Sequence, residues 1–146
     1  MDRNELTDKL ALRELIDKIS ILGDKKDFEN QVQLFSENAI SETIVEGKTI
    51  LKIEGRKEMG QAFENFLQEM ETVCHFNGQQ VVEIDGDNAK GTCYCLITLI
   101  GNENGKKVKA TVGATYEDEY ICTNNQWLVS KRVGYFKWQD KKEIEK

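Results

Sequence analysis

The feature that most constrains this chain is a change of hydrophobic period near residue 73. Before it, apolar residues recur at helical spacing. After it come four long runs rich in Val, Ile, Thr and aromatic residues: VCHFNGQQVVEIDG, KGTCYCLITLIG, KKVKATVGATYEDEYI and QWLVSKRVGYFKW. A period of two marks a strand, and a period of about 3.6 marks a helix with an apolar stripe. Polar breaks at Asp85–Asn88, Gly101–Gly105 and Thr123–Asn125 separate the runs. Links this short join antiparallel neighbours, because a parallel crossover needs about a dozen residues or more. The second half of the chain is therefore expected to form a four-strand antiparallel meander.

The first half reads differently. Leu12, Leu15, Ile16, Ile19 and Leu22 fall on one face of a helix over residues 6–22, and Gly23 is placed to stop it. Asp27 is suited to cap a second, short helix carrying Phe28, Val32 and Phe35. AISETIV and TILKIE read as two short strands around a turn at Glu46-Gly47. The stretch GRKEMGQAFENFLQEM, residues 55–70, predicts a third helix with an apolar stripe from Met59 to Met70. This order implies an α+β fold, with three N-terminal helices packed on one face of a strongly curved, mainly antiparallel sheet. The 146 residues suit a single domain, with a core over about 6–138 and a polar tail, 139–146, expected to fray. A cavity between sheet and helices is a natural seat for a small ligand.

Charge and motifs narrow the chemistry. With 20 basic and 26 acidic residues the net charge is −6, so no excess of Lys and Arg exists to displace counterions from nucleic acid or bind an anionic membrane. No apolar run approaches the ~20 residues of a membrane span, and the charged start does not resemble a secretory signal. The expected location is the cytoplasm, where Cys74, Cys93, Cys95 and Cys122 would be reduced thiols, mostly in the core. His75 is the one histidine, which excludes sites needing two His ligands. Cys93-x-Cys95 lacks the spacing of a structural zinc site. Neither a metal nor an organic cofactor is expected, and there is no phosphate-cradling loop or G-x-S-x-G elbow. What remains is metal-free acid–base chemistry. Asp24, at the end of the first apolar helix, and His75, in a strand, could share a proton facing one cavity. Alternatively, Asp24 is only a helix-end residue and His75 a hydrogen-bonded strand residue.

Three stretches carry a resemblance: LALRELIDKISILGDKKDFENQVQLFSENA, CHFNGQQVVEIDGDNAKGTCYCL and TYEDEYICTNNQWLVSKR. Their order and spacing over about residues 6–138 resemble the SnoaL-like domains of the nuclear transport factor 2-like superfamily. The resemblance implies a cone-shaped α+β barrel with a deep pocket, often dimeric through the sheet. Enzymes of that kind are dehydratases, isomerases, hydrolases and cyclases that act on small apolar substrates, usually without metal or cofactor. Other members are non-catalytic binding or dimerisation modules, and fold alone does not decide between them. In the dehydratase-like branch a Tyr, and five residues later an Asp, project from the first helix. Here those positions are Ile19 and Asp24. The branch's strand histidine matches His75. A further acid found in one relative falls on Ile97, and its C-terminal G-Y-x-R motif falls on Gly134-Tyr135-Phe136-Lys137.

The reading implied is an apolar pocket for a small hydrophobic molecule. Asp24 and His75 would be a metal-free dehydratase or isomerase pair, and Ile19, Tyr94, Tyr116, Arg132 and Tyr135 would be substrate-binding residues. The alternative is a non-catalytic module of the same fold. His75, Asn77 and Gln79 are expected on one strand face, and Tyr94, Leu96 and Thr98 on another. Tyr94, Tyr116, Tyr135 and Trp138 could line the pocket or pack a core or dimer interface. Arg132 could orient an anionic or carbonyl group or pair with a surface carboxylate. Glu117-Asp118-Glu119 reads most simply as a solvated strand end. The expected macromolecular partner is a second copy of the chain.

Overall fold

A computed structural model describes residues 4–144. The long first helix, α1, spans Glu5–Asp24. The short α2, Phe28–Gln31, runs on into a tight 3₁₀ turn at Val32–Leu34. Then come β1 (Phe35–Val45), β2 (Lys48–Glu54) and α3 (Arg56–Leu67). The meander is β3 (Thr72–Asp85), β4 (Asn88–Glu103), β5 (Lys106–Thr123) and β6 (Gln126–Glu143). The six strands form one sheet in the order β2-β1-β6-β5-β4-β3. Every neighbouring pair is antiparallel except β1 and β6, which run parallel. The sheet does not close on itself: β2 and β3 are its two edges, and the helices cover its inner face. This is the expected α+β architecture, with helices completing what the open sheet leaves uncovered.

The core is built where the periods meet. Leu12, Leu15, Ile16 and Ile19 of α1 pack with Phe35, Met59, Tyr120 and Val129, all buried. Full burial of one such aliphatic side chain stabilises by about 1.5–3 kcal/mol. At the other end of α1, Asn4 caps the helix, its side chain accepting from Thr7 N at 2.8 Å. Trp127 Nε1 donates to Asp8 Oδ1 at 3.0 Å and ties the first turns of α1 to β6. No helix among the described residues is long and apolar enough to cross a membrane.

Four expectations about elements change. The helix does not stop at Gly23; it runs to Asp24, and the left-handed residue is Lys26, at φ 61°. Gly23 has a different use. A Cβ there would lie 2.7 Å from Gln31 Nε2, so the missing side chain makes room for the buried Gln31 amide. Gly23→Ala should therefore push the Gln31 amide off Ile19 O and lower stability by about 1 kcal/mol, the worth of that hydrogen bond, read as a drop in melting temperature. Helix α3 ends at Leu67 rather than residue 70, where the Lys26 ammonium donates to the carbonyls of Gln68 and Met70. β1 begins at Phe35 rather than residue 39, because β6 supplies a parallel partner from Val129 onward. Finally, residues 139–143 of the expected tail continue β6, paired with β5 as far as Val108↔Glu143. Cross-strand charges favour this: Lys106 pairs with Glu143 at 3.5 Å, and Lys141 pairs with Glu103. The last two tail positions lie outside the described residues.

Candidate active site

Helix α1 meets β3 side by side, and four polar residues, Arg13, Asp17, Ser20 and Asn77, fix the match. Arg13 Nη1 donates to Gly78 O at 2.6 Å and Nη2 to Asn77 O at 3.3 Å. Asn77 Nδ2 donates to Asp17 Oδ1 at 3.0 Å, Ile16 O at 3.2 Å and Ser20 Oγ at 3.0 Å. These bonds sit beside a bulge between Asn77 and Gln80. The extra residue reverses the strand's facing, so Gln79 is exposed, against expectation, while Gln80 turns in toward Leu12 O and Tyr120 Oη.

With helix and strand clamped, Asp24 and His75 are brought together. His75 Nδ1 lies 2.7 Å from Asp24 Oδ1. The His75 backbone N–H also donates to both carboxylate oxygens, at 3.1 Å each. An ionised carboxylate only accepts, so Nδ1 carries the proton on the Asp24 side, and in the neutral ring the lone pair then sits on Nε2. Both side chains are largely buried, 18% and 23% exposed. Cys74 stands on the opposite strand face, exposed.

His75 lines a cavity of about 180 Å³ between the sheet and the helices. Ile19, Ile97, Leu99, Val112 and Phe136 give it apolar walls. Ile50, Leu51 and Phe66 line it as well and are exposed, which puts them at its mouth. Polar groups reach it from Ser20, Gln31, Glu42, Tyr116 and Arg132. Gln31 Nε2 donates to Ile19 O at 2.9 Å, and Gln31 Oε1 has no hydrogen-bond partner among the described residues. Gln31 escapes sequence reasoning, because a glutamine in a short amphipathic helix gives no signal of burial.

Of the seven residues singled out from sequence, the structure gathers five. Ile19, His75, Tyr116 and Arg132 line the cavity, and Asp24 stands behind His75. Tyr94 and Tyr135 do not join them. Tyr94 is 53% exposed on the outer sheet face, beside Phe76, Leu96 and Trp138. The inward residues of β4 are Cys93, Cys95 and Ile97. Both sets are apolar, so alternation alone could not say which faced in. Tyr135 also faces outward, with the Lys137 ammonium 5.2 Å from its ring centre. The inward residues of β6 are Arg132, Gly134 and Phe136.

Arg132 is held from below. Nε donates to Asp118 Oδ1 at 2.8 Å and Nη2 to Asp118 Oδ2 at 3.1 Å, with the Asp118 side chain wholly buried. Asp118 is thus no part of a solvated strand end, because the middle residue of Glu117-Asp118-Glu119 alternates inward. Burial opposes the charge on Arg132, but the Asp118 carboxylate outweighs it and keeps the guanidinium protonated above its ordinary range.

Burial pushes the Cys93 thiol from 9.0 up to about 11 and the Cys95 thiol up to about 12, so neither is a nucleophile at neutral pH. Iodoacetamide at about pH 8 should label Cys74 in the folded protein and leave Cys93 and Cys95 unmodified, read by peptide mass. The two buried thiols ionise more easily unfolded than folded. Their contribution to stability is therefore whole below 9.0 and is lost as pH rises toward 11 and 12. No group of three His, Cys, Asp or Glu among the described residues is placed to hold a metal ion.

A family model of the SnoaL-like domain matches residues 4–133. No curated protein matches the chain in sequence. Solved structures similar to it include a candidate scytalone dehydratase from Novosphingobium aromaticivorans. It is 14% identical, covers 96% of this chain and 91% of its own, and superposes with a TM-score of 0.82. An NTF2-like protein with a cystatin-like fold from the same species is 22% identical over 90% of this chain and 82% of its own, TM-score 0.70. The hexachlorocyclohexane dehydrochlorinase LinA-type3 of Novosphingobium barchaimii is 20% identical over 94% of this chain and 91% of its own, TM-score 0.78. At these identities the likeness establishes the fold.

Proposed function

The chain belongs to the SnoaL-like domain family, and from that membership together with the site we propose that it binds a small hydrophobic molecule and acts on it as a metal-free dehydratase or isomerase. The observation that carries this reading is the Asp24 carboxylate on Nδ1 of the one imidazole, which lines an apolar cavity. A base so held can take a proton from carbon through Nε2, and the imidazolium formed is stabilised by the carboxylate behind it. Arg132, charged and fixed by Asp118, orients an anionic or carbonyl group with the N–H bonds that Asp118 leaves unused. Among the similar structures, one is named a dehydrochlorinase and another a candidate dehydratase, both eliminations.

Cavity size limits the ligand. An apolar cavity of about 150 Å³ holds benzene, so about 180 Å³ suits a molecule of one or two rings. Phenylacetone, with one ring and an acidic carbon, is a fitting probe. The wild type should speed exchange of its α-protons with D₂O, and His75→Ala should return exchange to background while circular dichroism stays unchanged. A fully active His75→Ala protein would sink this mechanism. Binding of the probe without exchange in the wild type would favour the non-catalytic module, a reading that the apolar Ile19 and Ile97 in the cavity wall would then support.

A second copy of the chain is the partner in this reading. Phe76, Tyr94, Leu96 and Trp138, 71%, 53%, 44% and 51% exposed, share the outer sheet face, and an apolar cluster of this kind invites a partner. Light scattering should give a dimer mass, and a Tyr94→Glu, Trp138→Lys double variant should give a monomer. A monomeric wild type at micromolar concentration would refute this. A cytoplasmic location is part of the same reading and fits the thiol state of Cys74, Cys93 and Cys95.

A further inference from the structure

Two tyrosines stand four residues apart on the inner face of β5, and their hydroxyls differ. Tyr120 Oη is engaged twice, donating to Asp118 Oδ2 at 3.0 Å and accepting from Gln80 Nε2 at 3.4 Å. Tyr116 Oη has no hydrogen-bond partner among the described residues, yet it is not among the sealed-off polar atoms. Its side chain lines the same cavity as His75 and Arg132. The ring is fixed from two sides. The Arg132 guanidinium lies over it, with Cζ 3.9 Å from the ring centre. Gly134 backs it closely enough that a Cβ there would come within 2.9 Å of Tyr116 Cε1. A rigid phenol with an unused hydroxyl, in a mainly apolar cavity that also holds a base, is arranged to meet a polar atom of the ligand.

We propose that Tyr116 is the proton donor to the leaving group, and that the substrates are accordingly β-hydroxy carbonyl compounds of one or two rings. This rests on the reading of His75 as the base and names the substrate class for that site. Hydroxide is a poor leaving group and must be protonated as it departs, whereas a halide or a carboxylate leaves without a proton. In the step itself, His75 Nε2 takes the proton from the carbon beside the carbonyl. The C–H electron pair first delocalises into the carbonyl as an enolate, and then becomes the C=C bond as the β-carbon–oxygen bond breaks with its pair on oxygen. The Tyr116 hydroxyl gives its proton to that oxygen, which leaves as water. The imidazolium then returns one proton to the phenolate through solvent, so no proton or electron is consumed overall. Electrostatics suit both halves of the cycle. Burial raises the Tyr116 pKa above its ordinary value and keeps the phenol protonated at rest, while the Arg132 charge works the other way and favours the phenolate once formed.

The test compares two probes with one carbon skeleton: the aldol of benzaldehyde with acetone, and its acetate ester. Both eliminate to benzylideneacetone, which is followed by ultraviolet absorbance. In Tyr116→Phe the ratio of hydroxy to acetoxy turnover should fall by about 100-fold, the lower end of general-acid effects. His75→Ala should lower both rates and leave the ratio alone. Because the removed hydroxyl has no partner among the described residues, Tyr116→Phe should melt within a few degrees of the wild type. As a second readout, Tyr116→Phe should still exchange the aldol's α-protons with D₂O at the wild-type rate while C–O cleavage slows by about 100-fold. An unchanged ratio, or loss of exchange together with cleavage, overturns the proposal. Failure of the wild type to act on either probe overturns the His75 reading and this one together, whereas His75-dependent turnover with a Tyr116-independent ratio overturns this one alone.

Discussion

Asp24→Asn should lower turnover about 10³–10⁴-fold with the fold intact, the size of effect seen when a carboxylate orienting a catalytic imidazole becomes an amide. The reason is a count of donors. The Asp24 carboxylate accepts from the His75 backbone N–H at 3.1 Å and faces ring Nδ1 at 2.7 Å. Asparagine replaces one of the two carboxylate oxygens by an NH₂. With that NH₂ on the Nδ1 side, the amide donates to the ring and no longer accepts from it. The imidazole must then shift its proton to Nε2, and the nitrogen left for the cavity is no longer a base. The tautomer can be read directly from the ¹⁵N shifts of the ring. With a single histidine in the chain there is one pair of signals and no assignment to make. The wild type should show protonated Nδ1, the Asp24→Asn variant protonated Nε2, and the α-proton exchange rate should fall together with that switch. A wild type already protonated at Nε2 would remove the basis of the mechanism.

The Asp24–His75 pair is legible in the amino-acid sequence, but only in part for physical reasons. Residue types and the helix-end position of Asp24 make it a candidate. The contact itself joins residues 51 positions apart, and only the family resemblance points to it. Periodicity places β3, β4, β5 and β6 well, because long alternating runs leave few other solutions. It fails where alternation is blind. On β4 the Cys93 and Tyr94 sets are both apolar, since one faces the core and the other an exposed apolar patch. On β3 a bulge that leaves no mark in the sequence sends Gln79 outward. Asp118 is readable in principle: it shares parity with Tyr116 and Tyr120, whose aromatic rings mark the inner face. The flanking Glu117 and Glu119 hide it, because three acids in a row look like a solvated edge. Gly23 shows the converse, a correct suspicion of a special residue with the wrong cause, since it serves close packing rather than a left-handed turn.

Asp118→Ala should be the most destabilising single change in the molecule. The Asp118 side chain is 0% exposed and that of Arg132 9%, and they meet through two parallel N–H···O bonds. Asp118 also accepts from Tyr120 Oη, whose ring is among the most buried side chains of the core. Removing the carboxylate leaves a buried cation without its partner and a tyrosine hydroxyl without its acceptor. Breaking one side of a buried pair costs about 3–5 kcal/mol, against a total stability of about 5–15 kcal/mol for a domain. At about 2–4 °C per kcal/mol for a chain of this size, the melting temperature should fall by about 10 °C or more. An Asp118→Val, Arg132→Met double variant should recover most of that loss, because two apolar groups leave no unpaired charge behind. A fall of less than about 3 °C in the single variant, or no recovery in the double, would mean that the buried pair is not what holds this part of the core. The double variant also separates stability from chemistry. It keeps His75 and Asp24 untouched but removes the cation from the cavity wall, so it should fold well and still turn over poorly. The pair would then be retained for the guanidinium it fixes beside the ligand rather than for the stability of the sheet that carries it.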